Sequence, residues 1–578
     1  MPNHHAPDMH FDTVIVGSGF GGSVTAYRFA QEGERVLVLE RGKAYPPGSF
    51  ARRPREMKDN FWDPSKGQHG LFNVWSFRGI EALVASGLGG GSLIYANVLL
   101  RKDERWFVKD APFGGGYEHW PIDRADLEPH YDAVERMLAP TPFPLAAPGY
   151  GIPKTLATQE AAAALGLHWR LPPLAVTFSP DADSPPAPGV PIVPGPYPNL
   201  HGRPRLTCRL CGECNIGCNE GSKNTLDHTY LSAAAHHGAE IRTRSEVRGL
   251  ASRPGGGYEV AYVEHSPDRE GKRTGTGKLP TRTVTADRLV LAAGALGTPY
   301  LLLRSRAAFP NLSAALGTRF SGNGDLLSLV LKSRLPPPLG TARVMDASRG
   351  PVITSAIRVP DAADGDGAEG RGYYVEDAGY PVLVDWLAQG ADVPGTLHRL
   401  VRFALRRAWG MVARSPVSDL GSEVGGLLGR AELSSTSLPL LGMGRDVPDG
   451  VMRLRKGWLD VDWTIATSKD FFERVRSTMH AVSDHLGGRF ADNPLWLLKK
   501  VVTVHPLGGA PMGRHPGEGV VDAYGEVFGH PGLYVADGAA MPGPVGANPC
   551  LTIAAFADRL ADHALERKPL PTRAKEHQ

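Results

Sequence analysis

Phe11-Asp12-Thr13-Val14-Ile15-Val16 runs directly into Gly17-Ser18-Gly19-Phe20-Gly21-Gly22 near the start of the chain. The apolar run predicts a buried strand, and the pattern from Ser23 to Gln31 predicts a helix after the glycines. A pyrophosphate can lie against the first amides of such a helix when the turn carries no side chains. This stretch therefore predicts a dinucleotide-binding site.

A second strand, Arg35-Val36-Leu37-Val38-Leu39, ends in Glu40. An acidic residue at the end of this strand accepts hydrogen bonds from an adenosine ribose. Because a ribose phosphate would be repelled there, Glu40 favours FAD or NAD over NADP.

The bulk properties exclude several classes of protein. A chain of 578 residues is long enough for two or more structural units. With 63 basic and 60 acidic residues, its net charge of +3 does not favour nucleic acid as a partner. Neither an apolar signal segment after Met1 nor a run of about 18 apolar residues is present in the sequence, so we expect a soluble cytoplasmic protein.

Further glycine-rich stretches indicate the fold class. Ser86 to Asn97 holds a second glycine cluster, and two later strands, Arg288–Ala292 and Leu533–Ala536, run into glycines. We predict an α/β protein in which a Rossmann-like domain is assembled from separated pieces, with an α+β substrate domain inserted. The predicted limits are 9–100, 205–325 and 499–570 for the nucleotide domain, and 101–204 and 326–498 for the substrate domain and covering segments.

Two C-terminal motifs complete a family pattern: Val504-His505-Pro506-Leu507-Gly508-Gly509, and Gly546-Ala547-Asn548-Pro549 with the apolar run after it. Together with the glycine turns and Tyr534-Val535-Ala536-Asp537-Gly538, they make the chain resemble the glucose-methanol-choline (GMC) oxidoreductase family, and within it the bacterial cholesterol-oxidase-like branch. The resemblance covers nearly the whole chain.

This resemblance implies an FAD enzyme that oxidises an alcohol. It places His505 near the flavin N5 as the base or the hydrogen-bond partner of the substrate hydroxyl, Asn548 beside it, and Asp537 at the ribityl chain. It also makes Glu376 the acidic residue that moves a proton during steroid isomerisation. The residues that we predict to bind FAD are Gly17, Gly19, Phe20, Gly21, Gly22, Glu40, Gly89, Gly90, Gly91, Ser92, Asn97, Val247, Asp537, Gly538, Asn548 and Pro549.

Some relatives tether the flavin through a histidine in the second glycine loop. This sequence has Leu93-Ile94-Tyr95-Ala96-Asn97 there, so we expect FAD to be bound non-covalently. The chemistry of alcohol oxidation supports the role of His505 independently, because the hydroxyl proton must pass to a group that titrates near neutrality.

Asn548 has a second interpretation. An asparagine before Pro549 and an apolar helical run from Leu551 to Leu565 is typical of a helix N-cap. Both roles can coexist, because a helix N-terminus that points at the flavin would stabilise negative charge on it.

Four of the five cysteines form the spacing C-x2-C-x2-C-x3-C, namely Cys208, Cys211, Cys214 and Cys218. This is the spacing of a bacterial ferredoxin run, although Asn219 replaces the usual proline after it. An iron–sulfur cluster, a zinc site and unliganded thiols are the three interpretations.

Residues His398 to Arg414 have the pattern of a basic amphipathic helix. An ordinary surface helix accounts for this pattern, and a peripheral membrane contact is the alternative.

The sequence thus favours FAD-dependent oxidation of a hydrophobic secondary alcohol, such as a 3β-hydroxysterol, by oxygen. Two alternatives stay open at this point: a dehydrogenase that passes electrons through a cysteine-bound cluster to another acceptor, and a flavin-binding redox module without turnover.

Overall fold

The computed structural model describes residues 10–52, 54–57, 59–108, 118–379 and 435–567. Its helices are α1 (Phe20–Gln31), α2 (Pro54–Met57), α3 (Arg124–Leu138), α4 (Pro153–Ala164), α5 (Tyr230–His236), α6 (Gly294–Arg304), α7 (Lys469–His485) and α8 (Cys550–Glu566). Its strands are β1 (His10–Val16), β2 (Val36–Leu39), β3 (Trp62–Asp63), β4 (Gln68–His69), β5 (Phe72–Ser76), β6 (Ile80–Ala85), β7 (Thr141–Pro142), β8 (His168–Arg170), β9 (Pro173–Leu174), β10 (Glu240–Arg242), β11 (Ser245–Ser252), β12 (Tyr258–Glu264), β13 (Thr281–Leu291), β14 (Leu326–Leu331), β15 (Ala356–Val359), β16 (Tyr373–Asp377), β17 (Leu438–Gly444), β18 (Val451–Arg455), β19 (Trp458–Asp462), β20 (Arg489–Asp492), β21 (Val501–Thr503) and β22 (Leu533–Val535).

The central sheet has seven strands in the order β10-β2-β1-β13-β12-β11, with β22 paired to β13. Strand β1 lies parallel to both β2 and β13, so that Ile15 is level with Val38 on one side and with Val290 on the other. All three are fully buried. The continuous apolar runs of β1 and β2 fit this place, because a parallel strand is covered on both faces.

Strands β11 and β12 form an antiparallel hairpin in which Ser252 is level with Tyr258. Helix α3 begins at Arg124. Its start is fixed by Asp123, whose side chain accepts a hydrogen bond from the amide of Asp126 in a capping box.

The first glycine turn is tight because it packs against the ends of two neighbouring strands. Gly17 has φ of 99°, and a methyl group there would lie 2.3 Å from the carbonyl oxygen of Ala292. A methyl group at Gly21 would lie 1.9 Å from the carbonyl oxygen of Ala536. Glycine is therefore required at both positions for α1 to approach the sheet.

A second sheet of six antiparallel strands has the order β20-β14-β17-β16-β15-β8. Helix α7 packs on it with an apolar stripe of buried residues, Phe471, Phe472, Val475, Met479 and Val482. In a smaller sheet, β21-β6-β5, strand β21 pairs with β6. Strand β21 ends two residues before His505, and β6 ends directly before the second glycine cluster.

The predicted α/β class is confirmed, and the central sheet combines strands from three separated parts of the chain. The exact domain limits stay a prediction. The basic helix predicted over 398–414 lies outside the described residues. Among the helices that the structure describes, none has the length and hydropathy that a membrane-spanning segment needs.

Candidate active site

A cavity of about 1310 Å³ lies between the central sheet and the second sheet. Its glycine end is formed by Gly17–Gly21, Glu40 and Gly90–Gly91, and its histidine end contains His505 and Asn548. Single small-molecule sites usually measure about 300–1,000 Å³. The cavity therefore has room for a dinucleotide and a second molecule.

The glycine end is shaped for an anion. Gly19 is the N-cap residue of α1, and no described side chain caps that helix, so its first amides stay available as donors. A methyl group at Gly19 or Gly91 would meet no atom within 4 Å, because both residues face open space, whereas one at Gly90 would lie 2.6 Å from the Cα atom of Gly19. The two glycine turns thus touch each other and leave a cradle that side chains would fill.

Glu40 lines this end and also holds the turn together. Its Oε2 atom accepts hydrogen bonds from the amide of Ser18 at 3.1 Å and from the Ser18 hydroxyl at 2.6 Å. Its Oε1 atom accepts one from the amide of Gly42 at 2.8 Å. Because a carboxylate offers about four acceptor positions, these bonds leave capacity for a ribose hydroxyl.

Asp537 connects the start of α6 with the start of a short 3-10 helix, Gly538–Ala540, beside the cavity. Its Oδ2 atom accepts hydrogen bonds from the amide of Gly294 at 2.8 Å and from the Thr298 hydroxyl at 2.5 Å, and its Oδ1 atom accepts one from the amide of Ala539 at 2.8 Å. Burial raises the pKa of Asp537 to about 6. Its predicted contact with the ribityl chain stays a prediction, and the structure adds this cross-linking role.

Most predicted site residues line the cavity, namely Gly17, Gly19, Phe20, Gly21, Glu40, Gly90, Gly91, Val247, His505, Asp537, Gly538, Asn548 and Pro549. Five others lie outside its lining: Gly22, Gly89, Ser92, Asn97 and Glu376. A methyl group at Gly22 would lie 2.1 Å from the carbonyl oxygen of Gly17. The Ser92 hydroxyl donates to the Gly89 carbonyl at 2.7 Å. Gly22, Gly89 and Ser92 therefore shape the two turns from behind.

His505 is held by an aspartate. Its Nδ1 atom lies 2.8 Å from Oδ1 of Asp325, a carboxylate that is almost fully buried. The other oxygen of Asp325 accepts hydrogen bonds from the amide of Val504 at 2.9 Å and from the Thr503 hydroxyl at 2.8 Å. With Nδ1–H donated to Asp325, Nε2 is the ring atom with a free lone pair at the cavity wall.

Asp325 is the functional residue that the sequence reasoning missed. It is separated from His505 by 180 residues and stands in a turn, Gly322-Asn323-Gly324-Asp325, that precedes β14. Neither its spacing nor its surroundings in the sequence point to a histidine. The pairing arises only when β21 and the start of β14 come together in the fold.

The N-cap role predicted for Asn548 is wrong. Helix α8 begins at Cys550, one residue earlier than predicted, and its N-cap residue is Pro549, which already has helical backbone angles. Asn548 thus lies one position too far from the helix, and its Nδ2 atom is instead 3.5 Å from Oε2 of Glu376. Its Oδ1 atom is buried and has no hydrogen-bond partner among the described residues.

Glu376 is fully buried on β16, behind Asn548. Burial raises the pKa of Glu376 to about 8, and the nearby charges of Asp377 and Asp325 add to the effect. The carboxyl group is therefore protonated at neutral pH. Its Oε1 atom, like Oδ1 of Asn548, is without a partner in the described part of the chain, so both atoms have hydrogen-bonding capacity that the described residues do not use.

Comparison with known proteins agrees with this geometry. Two models described as GMC oxidoreductase match residues 202–321 and 444–557, and one described as a NAD(P)-binding Rossmann-like domain matches residues 15–57. A cholesterol oxidase from Mycobacterium tuberculosis is 31% identical over 95% of this chain and 90% of its own length. The chain belongs to the GMC oxidoreductase family.

Other GMC oxidoreductases extend the comparison. A cholesterol oxidase from Acinetobacter baumannii is 28% identical over 96% of each chain. Among solved structures, a fungal aryl-alcohol oxidase superposes with a TM-score of 0.56 at 16% identity, covering 97% of this chain and 99% of that one, which shows the shared fold.

GMC oxidoreductases bind FAD, and the residues of the cavity fit this cofactor. The open cradle at Gly19 and Gly91 suits a pyrophosphate, the uncapped start of α1 supplies donors, and Glu40 stands where a ribose is expected. The protein is an FAD-dependent alcohol oxidoreductase.

The iron–sulfur interpretation of the four clustered cysteines is not supported in this GMC oxidoreductase. All five cysteines lie within the described ranges, and no three of their sulfur atoms lie within 4.8 Å of one another. Sulfur atoms that bind one zinc ion, each about 2.3 Å from the ion, would lie closer together than 4.8 Å. Burial raises the pKa of Cys208 well above its usual value and that of Cys211 to about 12, which favours neutral thiols. The matched models and the relatives named above describe no iron–sulfur protein.

Proposed function

We propose that this enzyme oxidises a hydrophobic secondary alcohol, a 3β-hydroxysterol such as cholesterol, to the ketone, and that oxygen reoxidises the cofactor. The observation that carries the proposal is His505, held by Asp325 at the wall of a cavity that continues from the cofactor cradle. The two relatives named above are cholesterol oxidases, which supports a sterol as the substrate.

The residues of the histidine end fit the proton chemistry of this reaction. His505 accepts the hydroxyl proton at Nε2 while Asp325 stabilises the positive charge that the ring then carries. Asn548 offers a carboxamide whose oxygen has no described partner, so it can orient the substrate hydroxyl. When bound, FAD supplies the acceptor for the electron pair and hydrogen that leave the carbinol carbon.

The wall beyond His505 is apolar. It is formed by side chains of the second sheet and its neighbours, including Leu327, Leu329, Val352, Ile353 and Leu441. Polar substrates such as sugars would leave their hydroxyl groups unpaired against such a surface, which costs free energy. This lining supports a hydrophobic substrate.

The test begins with the purified enzyme under anaerobic conditions. Sterols, long-chain aliphatic alcohols and sugars are added separately, and bleaching of the flavin absorption is recorded. We expect bleaching by a 3β-hydroxysterol, and hydrogen peroxide in proportion to turnover once oxygen is admitted. Bleaching by sugars alone would overturn the proposed substrate, and turnover without peroxide would indicate a dehydrogenase. The absence of bleaching by any alcohol would indicate a binding module.

We also propose non-covalent FAD, because the second glycine loop has Leu93 to Asn97 and no histidine. Acid precipitation should release intact FAD into the supernatant. Flavin that stays with the precipitate would contradict this. A cytoplasmic location stays a prediction.

Steroid isomerisation is a second candidate activity, favoured by the contact between Asn548 and Glu376. A buried carboxyl group with a raised pKa is suited to pass a proton between two carbons of the oxidised steroid. Glu376→Gln should leave alcohol oxidation within about 10-fold of the parent while the conjugated ketone, detected by its ultraviolet absorption, no longer forms. Equal yields of the conjugated product from both proteins would exclude this role.

A further inference from the structure

One turn of the chain contacts both polar groups of the histidine end. This turn, Ser321–Asp325, is called the bridging turn below. Asp325 holds the ring of His505, and Asn323, two residues earlier, contacts the segment that leads to Asn548. The two contacts leave the turn in different directions and join parts of the chain that are distant in sequence.

The contacts of Asn323 are specific to a carboxamide. Its Nδ2 atom donates to the carbonyl oxygen of Ala547 at 3.0 Å, and its Oδ1 atom accepts from the amide of Gly546 at 2.9 Å. The side chain is fully buried. One donor and one acceptor are thus used on the two residues that directly precede Asn548. A carboxylate cannot donate, and a hydroxyl group donates and accepts from one atom of a shorter side chain, whereas Asn323 uses two separate atoms.

The backbone of Asn323 indicates that this geometry is enforced. Its φ is 55°, in the left-handed region that residues other than glycine, asparagine and aspartate rarely adopt. The turn is anchored on its other side by Asp446, which accepts hydrogen bonds from the Ser321 hydroxyl at 2.5 Å and from the amide of Gly322 at 3.1 Å. A residue stays in such a conformation only when several contacts around it fix its position, so Asn323 is held firmly in place.

The segment that Asn323 holds has little freedom of its own. Gly546 has φ of 82°, and a methyl group there would lie 2.6 Å from the ring of Trp106. Asn548 follows two residues later with its Oδ1 atom unpartnered among the described residues. Its place beside the substrate is therefore set by the backbone before it.

We propose that Asn323 is a positioning residue for Asn548, so that the bridging turn sets the distance between Asn548 and His505. This inference rests on the proposed function for its effect on rate. Because a displacement of about 1 Å at a reacting centre can cost about 10²-fold, removal of the Asn323 carboxamide should slow oxidation without touching substrate or cofactor.

The test uses Asn323→Gly in the full-length FAD enzyme. Glycine adopts φ of 55° without strain, so the fold should be retained while both hydrogen bonds are lost. Lys332→Gly is the matched control, because Lys332 has φ of 54° and lies just beyond β14. We expect Asn323→Gly to lower the anaerobic flavin-reduction rate by up to about 10-fold, with an FAD content close to that of Lys332→Gly. Its melting temperature should fall below that of Lys332→Gly, because the amide of Gly546 and the carbonyl oxygen of Ala547 lose their partner in a buried site.

A double-mutant cycle decides whether Asn323 acts through Asn548. In an Asn548→Ser background, Asn323→Gly should change the rate by less than about 2-fold, because the group that it positions is already gone. If the fold-reductions in rate caused by Asn323→Gly and by Asn548→Ser multiply in the double mutant, the two residues act independently and the proposal is overturned.

Hydrogen–deuterium exchange provides a readout that needs no turnover. The amide of Gly546 should exchange faster in Asn323→Gly, while peptides that cover 503–507 keep the parent rate because Asp325 is intact. The proposal is overturned if exchange at Gly546 is unchanged, or if exchange becomes faster in both segments. It is also overturned if exchange at Gly546 becomes faster while the rate of oxidation stays at that of the parent. If no alcohol reduces even the parent enzyme, the proposed function fails, and the exchange result alone decides whether Asn323 fixes this segment.

Discussion

The two ends of the cavity are built in opposite ways. The glycine end depends on side chains that are missing, since Gly19 and Gly91 leave open space for a ligand. The histidine end depends on side chains that hold other side chains, as Asp325 holds His505. The first kind of site follows from a short run of sequence, whereas the second exists only after distant segments have met.

This difference predicts different responses to mutation. At the glycine end, an added methyl group should weaken cofactor binding without changing the chemistry. At the histidine end, removal of a polar group should slow the chemistry while the cofactor stays bound.

The largest effect is expected for His505→Asn. It removes the proton acceptor and should slow anaerobic flavin reduction by about 10²- to 10⁴-fold. His480→Asn is the matched control, because His480 also pairs with an aspartate, at 3.0 Å, but on the exposed face of α7. Stopped-flow absorbance measures both. The parent rate in His505→Asn would show that the histidine end is not where the proton is removed.

Asp325→Asn tests whether the charge behind His505 matters. The amide oxygen can still accept from Nδ1–H, but it cannot stabilise a protonated ring, so we expect the same rate to fall by about 10²-fold. Asp484→Asn removes the equivalent charge from His480 and should have no effect on rate. If FAD is lost from Asp325→Asn in place of a slower rate, the two ends are not separable in the way described above.

Gly19→Ala tests the opposite end. Its methyl group would project into the cradle and displace a phosphate from one charge-assisted hydrogen bond, worth about 1.5–3 kcal/mol, which corresponds to a rise of about 10- to 100-fold in the Kd for FAD. Gly195→Ala is the control, because a methyl group there also meets no atom within 4 Å but lies away from the cavity. Apoenzyme titration with FAD, followed by fluorescence quenching, gives both constants. Equal Kd values for FAD in the two variants would mean that the phosphates of FAD do not bind beside Gly19.

Asn548→Ser separates catalysis from helix capping. Since Pro549 is the N-cap residue of α8, the free energy of unfolding should change by less than about 0.5 kcal/mol. The rate of flavin reduction should fall by about 10-fold, because serine is too short to replace the carboxamide. A loss of stability that matches the loss of rate would restore the capping role.

The smallest effect concerns Glu376 and pH. In the unfolded chain this carboxyl ionises near its ordinary pKa of 4.5, but in the folded protein it stays protonated up to about pH 8. Its contribution to stability is therefore complete below pH 4.5 and is lost as pH rises towards 8. Glu376→Gln should remove this loss and raise the melting temperature at pH 8, relative to pH 5, by about 1–4 °C compared with the parent. Parallel curves of melting temperature against pH would mean that Glu376 ionises normally.

The sequence was sufficient for the glycine end because its signals are local. Gly17 to Gly22 and the strands around them follow from residues that are neighbours in the chain, and the parallel pairing of β1 with β2 agrees with that reading. The histidine end was predicted only in part. His505 and Asn548 came from the family pattern, whereas Asp325 and Asn323 depend on contacts across the fold that no local pattern encodes.

The error at Asn548 has a physical cause as well. An asparagine before a proline favours an N-cap with proline at the first helical position, but here Pro549 takes the cap itself and Asn548 turns to Glu376. The cysteine spacing was misleading for a related reason. Spacing in sequence sets where sulfurs can go, and burial of the Cys208 and Cys211 thiols was not visible in it.

The pairing of β22 with β13 has a consequence for how the protein is made. Strands β1 and β13 are synthesised long before residues 533–535, which complete their sheet, and α1 must wait for Ala536 to pack behind Gly21. At about 5–20 residues per second, a ribosome needs roughly half a minute to two minutes to pass from β1 to β22. During that time the nascent chain carries an unpaired strand edge, which is a template for aggregation. Yield of the folded enzyme should therefore respond to translation speed and chaperone supply more strongly than its final stability would suggest.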